Sequence, residues 1–191
     1  MSNPCKLSPS GLVITAKGRL MYPHFFKPSM PRGETDQAKA KYQATIVFPQ
    51  DADLSILEKA MLDKILAKWG ADWKRKVKVA IPIKNSADYP KMLDQDEAGF
   101  TRFIRTSSSN QPQVVDAANN KIGEDRADIV YPGRWAKLLI EPWCYDRPDS
   151  KGVSLEIKGA QILEEDERWG AGRVAVENEF EAVQSVEDLF G

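Results

Sequence analysis

The chain has 191 residues, 42% of them hydrophobic, with a formal net charge of −1 and a single histidine. That is room for one domain with a proper core plus extensions, and no stretch approaches the roughly 18 consecutive apolar residues that a membrane-spanning helix requires. Cys5 and Cys144 lie far apart with no CxxC spacing and no histidine neighbours, which excludes the common zinc patterns and gives no sign of a disulfide framework, and both read as reduced and structural.

The first residues, MSNPCKLSPSG, lack a charged start followed by an apolar run, so a cytoplasmic location is expected. Leu12 to Tyr22 is rich in β-formers and predicts a long first strand. Gly18 in its interior marks a bulge or sharp bend of the sort a small barrel needs. A proline-interrupted aromatic stretch, Pro23 to Pro31, and a polar loop follow. Lys39 to Phe48 alternates polar with apolar and predicts a second strand ending at Pro49.

One strong helix is expected from about Ser55 to Trp69. Leu54, Leu57, Met61, Ile65 and Trp69 recur at spacings of three and four, Leu62 and Leu66 widen the stripe, Ser55 and Glu58 fit a capping box, and Gly70 sits at the C-terminal stop. This helix packs on a sheet with Trp69 in the core. Trp73 to Lys84 gives a basic segment leading into a strand, and Asn85 to Gly99 reads as an insertion loop. Phe100 to Thr106 predicts a strand with Phe100, Arg102 and Ile104 on one face and Thr101, Phe103 and Arg105 on the other. A short Val114–Val115 piece follows, and then Arg134 to Tyr145 and Val153 to Leu163 form a hairpin across DRPDSKG. Five or six strands and one helix without βαβ alternation predict a mainly β fold, largely antiparallel and able to close as a barrel.

The charge is unevenly placed. The last fifteen residues, Glu177 to Gly191, hold five carboxylates and no basic residue, so with −1 overall the first 176 carry +4. A basic body joined to an acidic end points to a nucleic-acid-binding body whose tail is an interaction peptide or an electrostatic mimic of the ligand. Within the body, cations recur beside aromatics: Arg19 with Tyr22, Phe25-Phe26-Lys27, Lys41 with Tyr42, Arg102-Phe103 with Arg105, Tyr131 with Arg134-Trp135-Lys137, and Trp143-Tyr145-Arg147. Single-stranded nucleic acid needs this combination, because cations follow phosphates while flat rings stack on bases irrespective of sequence. The competing structural reading is that aromatics of a β-rich chain fill its core.

Catalytic signatures are absent: there is no Gly-x-Ser-x-Gly, HExxH, Walker loop or GxGxxG, and His24 lies between aromatics and a proline as a surface or packing residue. A metal-dependent nuclease would have to draw on carboxylates such as Asp94, Asp96 and Glu97, or on the run Glu164 to Glu167, whose neighbours on a strand point to opposite faces.

The order LxxxxGRLMYPHFFKP, KYQATIVFP, the helix, FIRTSSSNQPQVVD, YPGRWAKLLIEPWCYD and GVSLEIKGAQIL resembles the bacteriophage single-stranded DNA-binding proteins of the OB-fold type, a group long catalogued as a domain of unknown function in tailed phages. The resemblance spans roughly residues 10 to 170. It implies an OB-fold-like antiparallel β-barrel with insertion loops over residues 1–170 and a flexible, disordered acidic tail over 171–191. It also implies sequence-independent binding of single-stranded DNA in phage replication or recombination, in the host cytoplasm, with no cofactor and no membrane. The acidic end, VEDLFG, is similar in kind to tails of replicative single-strand binders. It would compete weakly with DNA and dock Phe190, flanked by Glu187 and Asp188, on a replication or recombination partner. Strand annealing or recombination mediation would use the same surface, and the oligomeric state stays open.

Position in the expected strands selects the DNA contacts. Tyr131, Arg134, Trp135 and Lys137 form the leading cluster, lifted off the barrel by the Pro132–Gly133 turn. Arg102, Phe103 and Arg105 come next, then Arg19, Tyr22, Phe25, Lys27 and Lys41. The run Lys74 to Lys76 is a source of further phosphate contacts or simply a solvated face.

Overall fold

The long first strand breaks into β1 (Val13–Ile14) and β2 (Gly18–Ser29) in a computed structural model that describes residues 3–170. A Cβ on Gly18 would lie 2.4 Å from the Val47 carbonyl oxygen and 2.8 Å from the Ile46 side chain, so only glycine lets β2 approach β3 (Lys41–Phe48) at the bend. Between the two pieces, buried Thr15 donates its N–H to the Leu138 carbonyl and accepts the Leu138 N–H on its hydroxyl, which carries the ladder across the gap.

After β3 come α1 (Ser55–Trp69), α2 (Trp73–Lys76), α3 (Leu93–Glu97), β4 (Arg102–Ser108), β5 (Gln113–Val115), β6 (Trp135–Asp146) and β7 (Lys151–Ile162). β2 pairs antiparallel with β3, β3 with β4, and β6 with β7. β6 closes antiparallel on both β1 and β2, and β4 meets β7 in parallel at Ser107 and Glu156. The circuit β1/β2–β3–β4–β7–β6 is an OB-fold-like barrel. Its interior holds Leu20, Phe25, Ile46, Ile104, Leu138, Ile140 and Leu155, each at most 1% exposed. No helix among the described residues is long and apolar enough to cross a membrane.

α1 spans the expected residues and packs against β6 and β1 through Leu57, Met61 and Ile65. Three details of the helix differ from expectation. Its first turn is capped by the Asp53 carboxylate, which accepts the Ser55 N–H at 2.9 Å, in place of a Ser55–Glu58 box. Leu62 and Leu66 are exposed, because a helix resting on one barrel end buries a narrow stripe and these residues lie a further 100° round. Trp69 is half-buried and donates its indole N–H to Asp146 at 3.3 Å.

The segment expected as an insertion loop is a structured cover. Two 3₁₀ turns, Ser86–Asp88 and Pro90–Met92, lead into α3 and place Tyr89, Met92 and Phe100 over the outer face of the sheet around Val47 and Phe103. The acidic tail, with Glu187, Asp188 and Phe190, lies outside the described residues.

Candidate nucleic-acid interface

Strand register sorts the proposed contacts. On the outer face of β3 and β4, Val47 pairs with Phe103, Thr45 with Arg105, and Gln43 with Ser107, with Lys41 at the open end. The first row is sealed: Phe103 is 1% exposed, with the Tyr89 ring edge-on at 5.2 Å. Phe103 therefore presents no face to a base, although it shares the outer side with Arg105, as the alternation predicts. The following rows are open.

Tyr22 is aimed at this opening by its backbone. It has φ of +51°, a left-handed conformation uncommon outside glycine, and the β2–β3 register slips between Met21 and His24. One extra residue at this bulge turns Tyr22 outward, 57% exposed, and shifts the alternation after it so that Phe25 faces the core, 1% exposed. Phe25 is thus a core residue and not a stacking one. The bulge carries no unambiguous sequence mark, so simple alternation misassigns Phe25.

Two clefts meet along this face. The first is lined by Tyr22, Gln43, Thr45, Lys91, Met92 and Arg105. The second is lined by Lys41, Ser107, Asn110, Trp143, Tyr145 and Arg147, and the Gln43–Ser107 pair joins the two. On β6, Trp143 and Tyr145 share the outer face with ring centroids 6.2 Å apart, and the Arg147 guanidinium lies 5.3 Å from the Tyr145 ring. Arg105 is braced against Phe103 at 5.4 Å. Lys41, Lys91, Arg105 and Arg147 are exposed and, among the described residues, make no ion pair. The groove thus combines free cations with two exposed rings, Tyr22 and Trp143. Sequence reasoning placed Tyr22, Lys41 and Arg105 here. It left out Lys91, which sits in the misread loop, and it noted Trp143, Tyr145 and Arg147 as a cation–aromatic group without selecting them as contacts, although their alternating spacing puts them on one face.

The expected leading cluster is occupied by the chain itself. Residues 164–169 lie across it: Lys17 pairs with Glu164 at 3.2 Å, Arg134 with Glu165 at 2.8 Å, and Arg19 with Asp166 at 3.5 Å. The Trp135 indole N–H donates to Asp166 at 2.8 Å, and the Tyr131 hydroxyl donates to the Asp166 carbonyl at 3.1 Å. Gly133, at φ +97°, has room for no Cβ, since that atom would fall 2.3 Å from the Glu167 carbonyl oxygen. The Pro132–Gly133 turn seats this strap and does not lift side chains into solvent. Arg19 is 7% exposed, and burial lowers its pKa against the opposing pull of Asp166 and Glu167. Arg134 is tied by Nε and Nη2 to the Leu163 carbonyl.

The remaining candidates lie elsewhere. Arg102 points to the barrel end and donates to the Ala52 carbonyl at 2.5 Å. Lys27 is highly exposed and 3.4 Å from Glu124. Lys137 lines a separate cleft with Leu139, Lys158 and Val115. Among the described residues no three His, Cys, Asp or Glu side chains converge as a metal site, and Asp94, Asp96 and Glu97 sit on the surface helix α3 and its C-terminal end.

The family model described as the Enterobacter phage Enc34 ssDNA-binding protein matches residues 12–190. The chain belongs to this family. Solved structures agree on the fold. The single-stranded DNA-binding protein from bacteriophage Enc34 in complex with ssDNA is 23% identical, with a TM-score of 0.68 over 89% of this chain and 96% of that one. A C-terminal truncation of the Enc34 protein is 25% identical, with a TM-score of 0.69 over 88% of this chain and 94% of the other. The gp2.5 single-stranded DNA-binding protein of bacteriophage T7 is 14% identical, with a TM-score of 0.59 over 83% of this chain and 94% of that one. No curated protein matches the sequence. The Enc34-family assignment covers both the barrel and the acidic end.

Proposed function

We propose that this Enc34-family chain binds single-stranded DNA without sequence preference along the outer face of β3 and β4, in phage replication or recombination within the host cytoplasm. The observation that carries this reading is the set of unpaired cations Lys41, Lys91, Arg105 and Arg147 on one open face with exposed Tyr22 and Trp143. Phosphates follow the cations, and bases stack on the rings. The Enc34 relative solved with ssDNA supports the same ligand. Binding only the single-stranded form draws the duplex equilibrium toward it by mass action, so protection of DNA and removal of hairpins need neither ATP nor a chemical step.

Residues 1–170 serve as the DNA-binding domain and 171–191 as an acidic tail. Through Glu187, Asp188 and Phe190 the tail docks on a replication or recombination protein, and it competes weakly with DNA for the cations.

The test is tryptophan fluorescence during titration with oligo-dT and with a matched duplex across a salt series. Quenching by oligo-dT alone, weakening as salt rises, is the expected result. No response to either nucleic acid refutes the reading.

A further inference from the structure

We infer that the DNA path does not stop at the β6–β7 hairpin but continues past its tip onto a second cationic surface built by α2 and the residues after it, Lys74 to Lys78. The inference rests on the function proposed above and extends it by assigning a binding site outside the barrel face.

Continuity is the first observation. A third cleft, lined by Lys76, Lys78, Val79, Arg147, Pro148 and Lys151, shares Arg147 and Ser150 with the cleft that holds Lys41, Trp143 and Tyr145. A strand leaving the Trp143–Tyr145 pair meets Arg147, which lines both clefts.

Placement is the second. Residues Val79 and Ala80 pair in parallel with Lys151 and Gly152 of β7, and the Val77 N–H caps α2 on the Trp73 carbonyl. Trp73 packs against the core. These contacts fix the basic segment against the hairpin, whereas an ordinary solvated charge run has no such tether. Charge is the third. Lys74, Arg75 and Lys78 are exposed and make no ion pair among the described residues. Lys76 pairs with Asp72 at 3.0 Å and Lys151 pairs with Asp146, both aspartates lying outside the cleft lining, in which Asp149 is the single carboxylate. The surface is therefore net cationic, but it offers only Trp73 as a ring, half-buried and with Lys74 5.7 Å from its centre. Phosphates, and not bases, are the chemistry it recognises, so it should lengthen the occluded site and steepen the salt dependence without adding quenching.

The experiment compares the full chain with a Lys74→Ala, Arg75→Ala, Lys76→Ala, Lys78→Ala variant on oligo-dT of about 6 and about 16 nucleotides, near the limits of what one OB fold covers. Affinity for the short oligonucleotide should change less than about twofold. Affinity for the long one should fall about tenfold or more at low salt, with the salt slope reduced by roughly two to three, since each single-strand phosphate contact contributes about 0.7. A Lys78→Glu single variant should show the same length dependence on an intact fold, verified by thermal melting. Equal loss on both lengths, or no loss on either, overturns the inference. Failure of the unaltered protein to bind even the short oligonucleotide would instead refute the function on which it rests.

Discussion

The guanidinium of Arg19 lies 4.0 Å from the centre of the Trp169 ring, while its Nε donates to the Gly133 carbonyl at 2.6 Å and an Nη donates to the Glu167 carbonyl. Trp169 in turn stands edge-on to Phe100 at 5.3 Å. Arg19 therefore joins the strap, the Pro132–Gly133 turn and the cover segment into one unit, and it serves the fold and not the ligand. Arg19→Ala leaves those carbonyls and Asp166 without their buried partner, which should cost about 2–4 kcal/mol. Urea denaturation would record a lower midpoint, while oligo-dT affinity of the folded protein should change less than about twofold. A large affinity loss without a stability loss would return Arg19 to the interface.

How much of this was legible in the sequence depended on whether a signal was local. Gly18 marks its bend because a missing Cβ is a property of one residue, and the α1 stripe of Leu57, Met61 and Ile65 is written in local periodicity. The face of Phe103 was also legible, but its burial was not: the cover arrives from residues 86–100, and only tertiary packing joins them. The basic and aromatic cluster at Arg19, Tyr131, Arg134 and Trp135 reads like a DNA site because the strap's carboxylates and Trp169 satisfy the same chemistry that phosphates and bases would. Composition alone cannot tell an internal partner from an external one.

Tyr22 combines strain with exposure, so its removal should separate stability from binding. A non-glycine residue in the left-handed region costs on the order of 1 kcal/mol, partly offset by the greater unfolded-state freedom of glycine. Tyr22→Gly should hold or raise stability by up to about 1 kcal/mol, and weaken oligo-dT binding by about 1–3 kcal/mol if the ring stacks on a base. A destabilised protein with unchanged affinity would make Tyr22 a packing residue.

Trp143 and Arg105 test the two halves of the groove chemistry. Trp143→Ala should lower affinity by about 1–3 kcal/mol and remove most of the fluorescence quenching, while Trp143→Phe retains much of the affinity. Arg105→Ala should weaken binding most at low salt and lower the salt slope by about 0.7, the signature of one lost phosphate contact. If Arg105→Ala left the slope unchanged, the guanidinium would contact no phosphate.

Acid should loosen the strap before it unfolds the barrel. The Asp166 carboxyl is held below its usual range by the Glu167 N–H, then by the Trp135 indole and the charge of Arg19. Glu164 is lowered by its own N–H and by Lys17. In both cases the folded pKa lies below the unfolded one, so the folded state binds fewer protons between the two. The resulting stabilisation is complete above the ordinary carboxylate range, about pH 4 to 4.5, and is lost as pH falls through the lower folded values. Urea stability should therefore be flat from about pH 7 to 5 and decline below about pH 4, with the fluorescence of Trp135 and Trp169 changing at a higher pH than far-UV circular dichroism. Asp166→Asn cannot be protonated and cannot pair with Arg19 as an anion. It should be less stable at neutral pH and show a shallower acid decline. Acid profiles that run parallel for the two proteins would mean that Asp166 does not carry the effect.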